Sequence, residues 1–202
     1  MPSPIDRPSY LNGLLKRAVD IVGAVMGLVL AFPLICVFGW LVRRESPGPI
    51  FFCQTRVGRG GRPFRMCKLR TMKNGAERED HLHQSTIGDD PRLLQIGKLM
   101  RRFNVDEVPQ FWNVLRGEMS LVGPRPERPV HAANLQQQIP EYTKRCAVKP
   151  GMTGWAQIHG FRGATSLKAR VRCDLFYLEN WSLALDMNIL IRTLFVPDPA
   201  FH

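Results

Sequence analysis

The sequence predicts an α+β protein, with a mostly helical cytosolic domain, a small β-hairpin and an N-terminal membrane segment. Three observations support this prediction. An apolar run without a charge extends from Ile21 to Val42. Two short strand-like segments, 50–52 and 64–69, lie next to glycine- and proline-rich turns. Farther along, residues 165–178 place leucine and valine at helical spacing.

Length and composition limit the kinds of protein that this chain can form. With 202 residues it is long enough for one domain and an appendage, and too short for two domains of about 150 residues each. Hydrophobic residues make up 45% and charged residues 22%, which excludes a disordered tail or a coiled coil. The formal charge of +11 predicts an anionic partner: nucleic acid, phosphorylated small molecules or an acidic membrane surface.

The cysteines indicate a reducing compartment. There are five of them, an odd number, and no CxxC pair occurs. This pattern argues against a disulfide framework and against a zinc site. His81 and His83 form an H-x-H pair in a polar stretch, and without a third ligand nearby we interpret them as surface residues.

The apolar run allows two arrangements in a membrane. Its 22 residues would reach roughly 33 Å as a straight helix, about the thickness of a bilayer core, so a single spanning helix is one interpretation. Pro33 lies near the middle of the run and predicts a kink or break. Lys16 and Arg17 precede the run, and Arg43 and Arg44 follow it. Because basic residues favour the cytoplasmic side, we expect a re-entrant helix broken at Pro33.

A signal peptide is the remaining interpretation of this run, and we reject it. The apolar segment is too long, and Arg43-Arg44-Glu45 follows it in place of a small-residue cleavage site. From Arg43 to Lys73 nine basic residues accompany one acid. Directly after an apolar run, such a segment is expected to lie against lipid headgroups, at about 1 kcal/mol per basic residue; a solvated basic face is the alternative.

Further helices are expected in the second half of the chain. The pattern predicts helices at 93–102, at about 105–115 and at 165–178, and another that ends near 136–140. Residues 182–196 are mostly apolar but too short to span a membrane, and we interpret them as a core or interface-lying helix.

The most informative residues are Asp106 and Glu107, two adjacent carboxylates in a chain short of acids. One interpretation is structural: Asn104 and Glu107 match a capping box, and Asp106 would favour the helix dipole. The functional interpretation is that one carboxylate faces a substrate and the other orients a metal. A carboxylate can attack phosphorus to form an acyl phosphate, provided that a divalent cation and arginines neutralise the charges.

A second cluster is Gly123-Pro124-Arg125-Pro126. Prolines on both sides of Arg125 fix the backbone, and the planar guanidinium suits bidentate phosphate binding. A proline-rich turn without function is the alternative. The segment from Lys149 to Gln157 is a third tightly turned region, which is weak evidence by itself.

Together these motifs resemble the monotopic phosphoglycosyl transferases, bacterial sugar transferases that start lipid-linked glycan assembly. The resemblance covers about Leu15 to Phe195. Six motifs match in order: Lys16-Arg17-x-x-Asp20, Ser46 through Phe52, Lys68 through Met72, Asp106-Glu107-x-Pro109-Gln110, Ser120 through Pro126, and Pro150-Gly151-x-Thr153-Gly154-Trp155-Ala156-Gln157.

The resemblance implies an activity and roles for residues. A UDP-sugar would donate a sugar-1-phosphate to a polyprenol (undecaprenyl) phosphate and release UMP. Asp106 would be the nucleophile that forms a covalent phosphosugar intermediate, and Glu107 would assist in a Mg²⁺-dependent site, so both are expected as metal ligands. The phosphate-binding residues expected from the matching motifs are Arg101, Arg125, Lys68 and Arg70.

The resemblance also implies an organisation. Residues 1–45 would form the N-terminal segment with the re-entrant membrane helix, and residues 46–202 the cytosolic catalytic domain. Pro33 matches the proline that breaks this helix, although many relatives have serine before it where this chain has Phe32. Because UDP-sugars are cytosolic, the catalytic domain would face the cytosol at the bacterial inner membrane. Longer relatives carry further N-terminal helices, so we expect a minimal catalytic unit or a piece of a longer chain.

Substrate and assembly are less closely defined. Residues 159–165 are similar to a run in glucose-1-phosphate transferases, which favours UDP-glucose; UDP-galactose and N-acetylated sugars stay open. A homodimer is also left open. The competing function is a membrane-tethered basic module that binds anionic lipid or nucleic acid without turnover. Its sequence support is the basic surface alone, and we expect no nucleic acid partner because no helix-turn-helix or RNA-binding aromatic pattern occurs.

Overall fold

The computed structural model describes residues 10–76, 90–161 and 165–195, and it has the predicted α+β composition. His81 and His83 lie outside the described residues. The helices are α1 (Tyr10–Glu45), α2 (Gln95–Arg102), α3 (Gln110–Leu115), α4 (Pro129–Gln138), α5 (Trp155–Ile158), α6 (Leu167–Glu179) and α7 (Leu183–Thr193). The strands are β1 (Phe51–Val57), β2 (Pro63–Leu69), β3 (Ser120–Val122) and β4 (Gly151–Thr153).

Helix α1 is long, apolar and continuous. Its 36 residues include Pro33, and the helix does not end there; the predicted break is therefore not confirmed. Proline removes one backbone donor, but the bond lost is one of many in a helix of this length, and Pro33 is exposed. Among the described residues, α1 is the one helix long and apolar enough to cross a membrane.

One face of α1 packs on the rest of the protein. Asp20, Ala24, Ala31 and Val42 are buried, and their spacings of four, seven and eleven residues follow the helical repeat. The large side chains of the opposite face are exposed; these include Val29, Leu30 and Phe32.

Small residues on α1 allow close contact with the domain. A Cβ atom added at Gly23 would lie 2.5 Å from Leu121, and one at Gly27 would lie 2.6 Å from the Phe111 ring. Glycine at these positions therefore lets the helix backbone approach α3 and β3 directly.

The predicted hairpin is confirmed. Strands β1 and β2 pair antiparallel with Phe51 opposite Leu69 and Val57 opposite Pro63, and the connection contains Gly60, whose φ of +66° suits glycine. Strands β3 and β4 form a separate parallel pair.

The prediction that the cysteines form no disulfide is wrong. The hairpin register places Cys53 opposite Cys67, and the two sulfurs are bonded. Their separation of 14 residues matches no short cysteine motif, so the pairing depends on the strand register that only the folded hairpin defines. Cysteine spacing thus gave no evidence for it, and the inference of a reducing compartment from the cysteines loses its basis.

The main core lies where α1, α3, the β3–β4 pair, α6 and α7 meet. Its buried members are Ala24, Met66, Val114, Met119, Leu121, Val122, Ile158, Tyr177, Leu178 and Ile189. The helices expected at 93–102, 165–178 and 182–196 are found as α2, α6 and α7, and α4 ends at Gln138, close to the expected end. A second core under α1 and α2 contains Val42, Leu69, Leu94 and Met100.

Candidate functional site

The carboxylate pair lies on a short turn between two helices. After α2 ends at Arg102, Asn104 adopts a left-handed conformation with φ of +54°, which asparagine tolerates better than most residues. A single 3₁₀ turn, Val105–Glu107, follows, and α3 begins at Gln110. The one helix predicted for about 105–115 is thus a 3₁₀ turn followed by a short α-helix.

The capping-box interpretation of this turn is wrong. Asn104 makes no side-chain cap hydrogen bond. The Glu107 carboxylate instead accepts hydrogen bonds from both terminal nitrogens of Arg125, one of them 3.1 Å long. This fork-to-fork ion pair joins the acidic turn to the Gly-Pro-Arg-Pro turn 18 residues away.

Asp106 is buried, with 5% of its surface exposed. Burial raises the pKa of this carboxyl, and the neighbouring charge of Glu107 raises it further. The positive charges of Lys68, Arg101 and Arg125 act in the opposite direction. Burial therefore destabilises this carboxylate while the charges of three basic side chains stabilise it, which suits a nucleophile that attacks an anionic group.

Lys68 comes to this group from the hairpin, where it is the last but one residue of β2. Burial lowers the pKa of its ammonium group, and the charge of Asp106 partly restores it. Its Nζ lies 5.9 Å from the centre of the Phe52 ring on the paired strand. A half-buried amine whose charge acts on a buried carboxylate is a feature of reactive sites more than of solvated surfaces.

The two other predicted phosphate-binding residues occupy different places. Arg101 lies in the last turn of α2, where its Nε donates to the Thr71 hydroxyl at 3.1 Å, and its charge acts on Asp106. Arg70 is buried and donates to Ser46, to the hydroxyl at 3.1 Å and to the carbonyl. These contacts place Arg70 at the end of α1, and none of them joins it to the carboxylate pair.

A buried arginine holds the Gly-Pro-Arg-Pro turn in place. Arg145 donates to the Arg125 carbonyl at 2.7 Å and forms an ion pair with Asp174 on α6 at 2.8 Å. It also donates to the Tyr142 hydroxyl at 3.2 Å. Arg125 is therefore fixed at its backbone by Arg145 and at its side chain by Glu107, whose charge raises the pKa of the Arg125 guanidinium.

Three polar residues beside this group were missed by the sequence analysis. Gln54 and Arg56 lie on β1, and Arg128 precedes α4. Arg56 donates to Gln54 at 2.8 Å, and its charge interacts with those of Arg125 and Glu107. The predicted strand 50–52 stops before Gln54 and Arg56. Only the longer observed strand places them on the same face as Phe52, because alternate residues of a strand share a face; Arg128 gave no signal.

The Lys-Arg-x-x-Asp motif docks α1 onto the same domain. Lys16 pairs with Asp186 of α7 at 2.6 Å. Arg17 donates to the carbonyls of Val114 and Leu115 at the end of α3, at 2.7 and 2.8 Å.

Asp20 accepts hydrogen bonds from the Ser120 hydroxyl and the Leu121 amide of β3, both at 2.9 Å. These are structural contacts, and they place α1 beside the strand that leads into the Gly-Pro-Arg-Pro turn.

Comparison with known proteins decides the family. The model of a family described as bacterial sugar transferase matches residues 11–197, which is nearly the whole chain. The chain belongs to the bacterial sugar transferases. All four elements that build the site, namely the hairpin, the acidic turn, the Gly-Pro-Arg-Pro turn and α6, lie within the matched residues.

Curated sugar transferases of known name are similar over most of this chain. The UDP-glucose:undecaprenyl-phosphate glucose-1-phosphate transferase of Escherichia coli (strain K12) is 44% identical over 93% of this chain and 41% of its own length. A UDP-N-acetylgalactosamine-undecaprenyl-phosphate N-acetylgalactosaminephosphotransferase of Aeromonas hydrophila is 41% identical over 93% of this chain and 44% of its own length. This sugar transferase chain therefore spans less than half the length of these two relatives.

A shorter relative matches over nearly its full length. The exopolysaccharide production protein PSS of Rhizobium leguminosarum bv. phaseoli is 39% identical over 90% of this chain and 94% of its own length. The region that this chain shares with the longer relatives thus corresponds to nearly the whole length of the R. leguminosarum protein.

Proposed function

We propose that this sugar transferase moves a sugar-1-phosphate from a UDP-sugar to a polyprenol phosphate and releases UMP. The observation that carries the proposal is the buried Asp106 beside Glu107, with Lys68, Arg101 and Arg125 around it. The names of the relatives from E. coli and A. hydrophila support the undecaprenyl phosphate acceptor and the UDP-sugar donor. The name of the R. leguminosarum relative supports a role in exopolysaccharide assembly.

The proposed reaction has two displacements at phosphorus. In the first, a carboxylate oxygen of Asp106 attacks the phosphorus that bears the sugar; the bond from this phosphorus to the bridging oxygen breaks, and UMP leaves with the electron pair. In the second, an oxygen of the polyprenol phosphate attacks the aspartyl phosphate. The bond to Asp106 then breaks and its carboxylate is restored. Lys68, Arg101 and Arg125 balance the negative charge that gathers during both steps.

The residues present fit a Mg²⁺ ion as cofactor. Mg²⁺ is usually held by one or two carboxylates together with substrate phosphates and water. Asp106 and Glu107 are adjacent acids, and burial first and then the charge of Glu107 raise the pKa of Asp106. The described residues offer no group of three or more potential ligands, so phosphate oxygens and water would complete the set. The ion would supply charge neutralisation at the phosphates.

We also propose that both ends of α1 lie on the cytosolic side of the inner membrane; a re-entrant path would require a bend at Pro33, where the structure has a continuous helix. At its start, Lys16 is bound to Asp186 of α7. At its end, the Glu45 carboxylate accepts hydrogen bonds from the Gln95 and Ile96 amides that begin α2, at 2.6 and 3.1 Å. A helix that spans the bilayer would hold these ends on opposite sides, whereas one folded domain contacts both.

UDP-glucose is the proposed donor sugar. Relatives named as glucose-1-phosphate transferases, from E. coli and Caulobacter vibrioides, support it, and the similarity of residues 159–165 to such enzymes agrees. Residues 162–164 of this run lie outside the described residues. Because the A. hydrophila relative is named for UDP-N-acetylgalactosamine, this sugar nucleotide is the first alternative donor to compare with UDP-glucose.

The deciding experiment measures UMP release by the full chain in lipid nanodiscs with a UDP-sugar, undecaprenyl phosphate and Mg²⁺. We expect Asp106→Asn to abolish release, because an amide cannot form the acyl phosphate, and we expect mass spectrometry of the quenched wild-type protein to show a phosphosugar on Asp106. The matched control is Glu141→Gln, which changes an exposed acid paired with Lys144.

Two results would contradict the proposal. Full activity of Asp106→Asn would exclude Asp106 as nucleophile. Salt-sensitive binding of anionic lipid with no UMP release from any UDP-sugar would favour the non-catalytic binding module instead.

A further inference from the structure

The buried side of the acidic turn continues into α3. The amides of residues 107, 108, 111 and 112 each donate to the carbonyl three residues earlier, so the chain follows a helical path through turn and helix. Buried residues recur along this path every three or four positions: Asp106, Pro109, Gln110, Asn113 and Val114. Such spacings place side chains on one face of a helix. Asp106, the proposed nucleophile, and Gln110 therefore share a buried face and lie about one turn apart.

This face packs on strand β2, which contacts both the acidic turn and α3. Asn113 marks the contact: its Oδ1 accepts a hydrogen bond from the Cys67 amide at 3.3 Å, and its Nδ2 donates to the Arg65 carbonyl at 2.7 Å. Gln110 lies one turn closer to Asp106 than Asn113 does. It is therefore enclosed between the contact of Asn113 with β2 and the buried carboxylate.

The two buried amide side chains of this face differ in their partners. Asn113 is 2% exposed, and it also donates to Glu118 at 2.7 Å, so its donor and its acceptor are both used. Gln110 is 1% exposed, and its Nε2 has no hydrogen-bond partner among the described residues. A buried amide without a partner destabilises a protein, because it has lost its hydrogen bonds to water. Asn113 is thus a structural amide, whereas folding alone does not explain Gln110.

Helix geometry directs the Gln110 side chain toward the carboxylate pair. Long side chains of a helix lean toward its N-terminus and lie over the preceding turn. The residues three and four positions before Gln110 are Glu107 and Asp106. Glu107 already accepts hydrogen bonds from both terminal nitrogens of Arg125. A buried donor that leans toward this turn and bonds to no protein acceptor is suited to an acceptor that the substrate supplies.

We propose that the Gln110 side-chain amide donates a hydrogen bond to a non-bridging oxygen of the phosphoryl group that Asp106 receives. The inference rests on the proposed function, in which this group is bound first to the nucleotide, then to Asp106 and last to the acceptor. A donor held by burial stabilises the negative charge on the phosphoryl oxygens in both displacements. The amide keeps its protons throughout, so the bonds that form and break are those of the two displacements.

The test measures the two half-reactions separately for Gln110→Met, which keeps the length of the side chain and removes the donor. The full chain in nanodiscs receives Mg²⁺ and the UDP-sugar that the wild type uses. Without acceptor, mass spectrometry of quenched samples follows formation of the phosphosugar adduct on Asp106. Undecaprenyl phosphate is then added, and decay of the adduct is followed. We expect both rates to fall about a hundredfold, the scale of losing one donor to a developing negative charge.

The melting temperature separates this role from a structural one. Methionine removes an unbonded polar group from a buried position, so Gln110→Met without substrate should melt no lower than the wild type. The matched control is Asn113→Leu, which changes the other buried amide of the face. It should melt clearly lower, because the Cys67 amide and the Arg65 carbonyl lose their partner. If Gln110→Met does not fold, both rates are measured in Gln110→Asn, whose shorter amide should also slow both steps.

Several results would overturn the inference. Wild-type rates in Gln110→Met would exclude the donor role and leave the proposed function intact. A slower first half-reaction alone would assign the amide to the nucleotide, and a slower second one alone would assign it to the lipid acceptor. A melting temperature lowered as much as that of Asn113→Leu would make Gln110 a structural residue. A wild type that forms no adduct on Asp106 would overturn this inference and the proposed function together.

Discussion

Asp106 and Lys68 deviate from their ordinary acidities in opposite directions for the same reason. Burial disfavours the charged form of each, so the pKa of the carboxyl rises and that of the ammonium falls. The opposite charge of each group also shifts the pKa of the other part of the way back toward its ordinary value. At the scale of single residues, the site therefore holds a carboxyl group and an ammonium group whose pKa values lie closer together than in water.

This pair predicts a bell-shaped pH dependence of kcat/KM for UMP release. Asp106 must be ionised to attack, and its raised pKa places the acidic limb above pH 3.8, the ordinary value. Lys68 must be protonated to balance the phosphates, and its lowered pKa places the alkaline limb below pH 10.5. In Lys68→Arg the guanidinium stays protonated, so the alkaline limb should move to higher pH while the acidic limb stays.

The control is Lys73→Arg, an exposed lysine beyond the hairpin, whose profile should match that of the wild type. An alkaline limb that is identical in Lys68→Arg and in the wild type would assign that limb to another group, with Arg56 as the next one to vary because its pKa is about 10.

At the scale of elements, buried contacts hold the acidic turn at 105–107 and the Gly-Pro-Arg-Pro turn at 123–126 together as one site. The end of β3 and the start of β4 approach so closely that a Cβ atom at Gly151 would lie 2.1 Å from the Gly123 amide. Arg145 then fixes the Arg125 carbonyl from the side of α6 through its ion pair with Asp174. The position of Arg125 therefore depends on a buried ion pair between Arg145 and Asp174, which is separate from the Asp106–Glu107 pair.

Removal of that support should cost stability and activity together. Asp174→Ala leaves the buried charge of Arg145 without its partner, which we expect to cost about 3–5 kcal/mol. The melting temperature of the chain in nanodiscs should fall clearly, and UMP release should fall at temperatures where the variant is still folded, because the Arg125 turn loses its anchor.

The comparison for this prediction is Glu141→Ala, which removes an exposed ion pair with Lys144. Exposed pairs contribute about 0–1 kcal/mol, so its melting temperature should hardly change. If Asp174→Ala melts at the same temperature as Glu141→Ala, the buried pair does not support the turn.

The elements were more predictable than the contacts between them. The hairpin and helices α2, α6 and α7 follow from turn residues and apolar spacing, and are confirmed. The capping box failed because Glu107 has a stronger partner in Arg125, 18 residues away, which no local pattern contains. The Cys53–Cys67 bond and the Gln54–Arg128 contact likewise depend on strand register and on long-range packing. Roles for Asp106, Lys68 and Arg101 came from the family resemblance and stay predictions.

At the scale of the whole molecule, α1 is held by its polar ends and by its small residues. Its ion pair at Lys16 is linked to a network in which Asp186 also accepts from the Tyr177 hydroxyl at 2.8 Å and from the Trp181 indole at 3.2 Å. The middle of the helix exposes a wide apolar face. Helix α1 and the rest of the described chain are thus one packed unit, in which one side of α1 contacts protein and the other side is apolar and exposed.

This packing predicts that both flanks of α1 are accessible from one side of the membrane. Single cysteines are introduced as Gly13→Cys, where a Cβ atom meets nothing within 4 Å, and as Lys73→Cys in the exposed part of the domain. The background carries serine in place of the free cysteines Cys36, Cys146 and Cys173. In sealed inner-membrane vesicles, a membrane-impermeant maleimide should label both sites when the cytosolic face is outward and neither when it is inward. Labelling of Gly13→Cys and Lys73→Cys from opposite sides would show that α1 spans the bilayer. It would also mean that the contacts of Lys16 with Asp186 and of Glu45 with α2 cannot both form in the membrane.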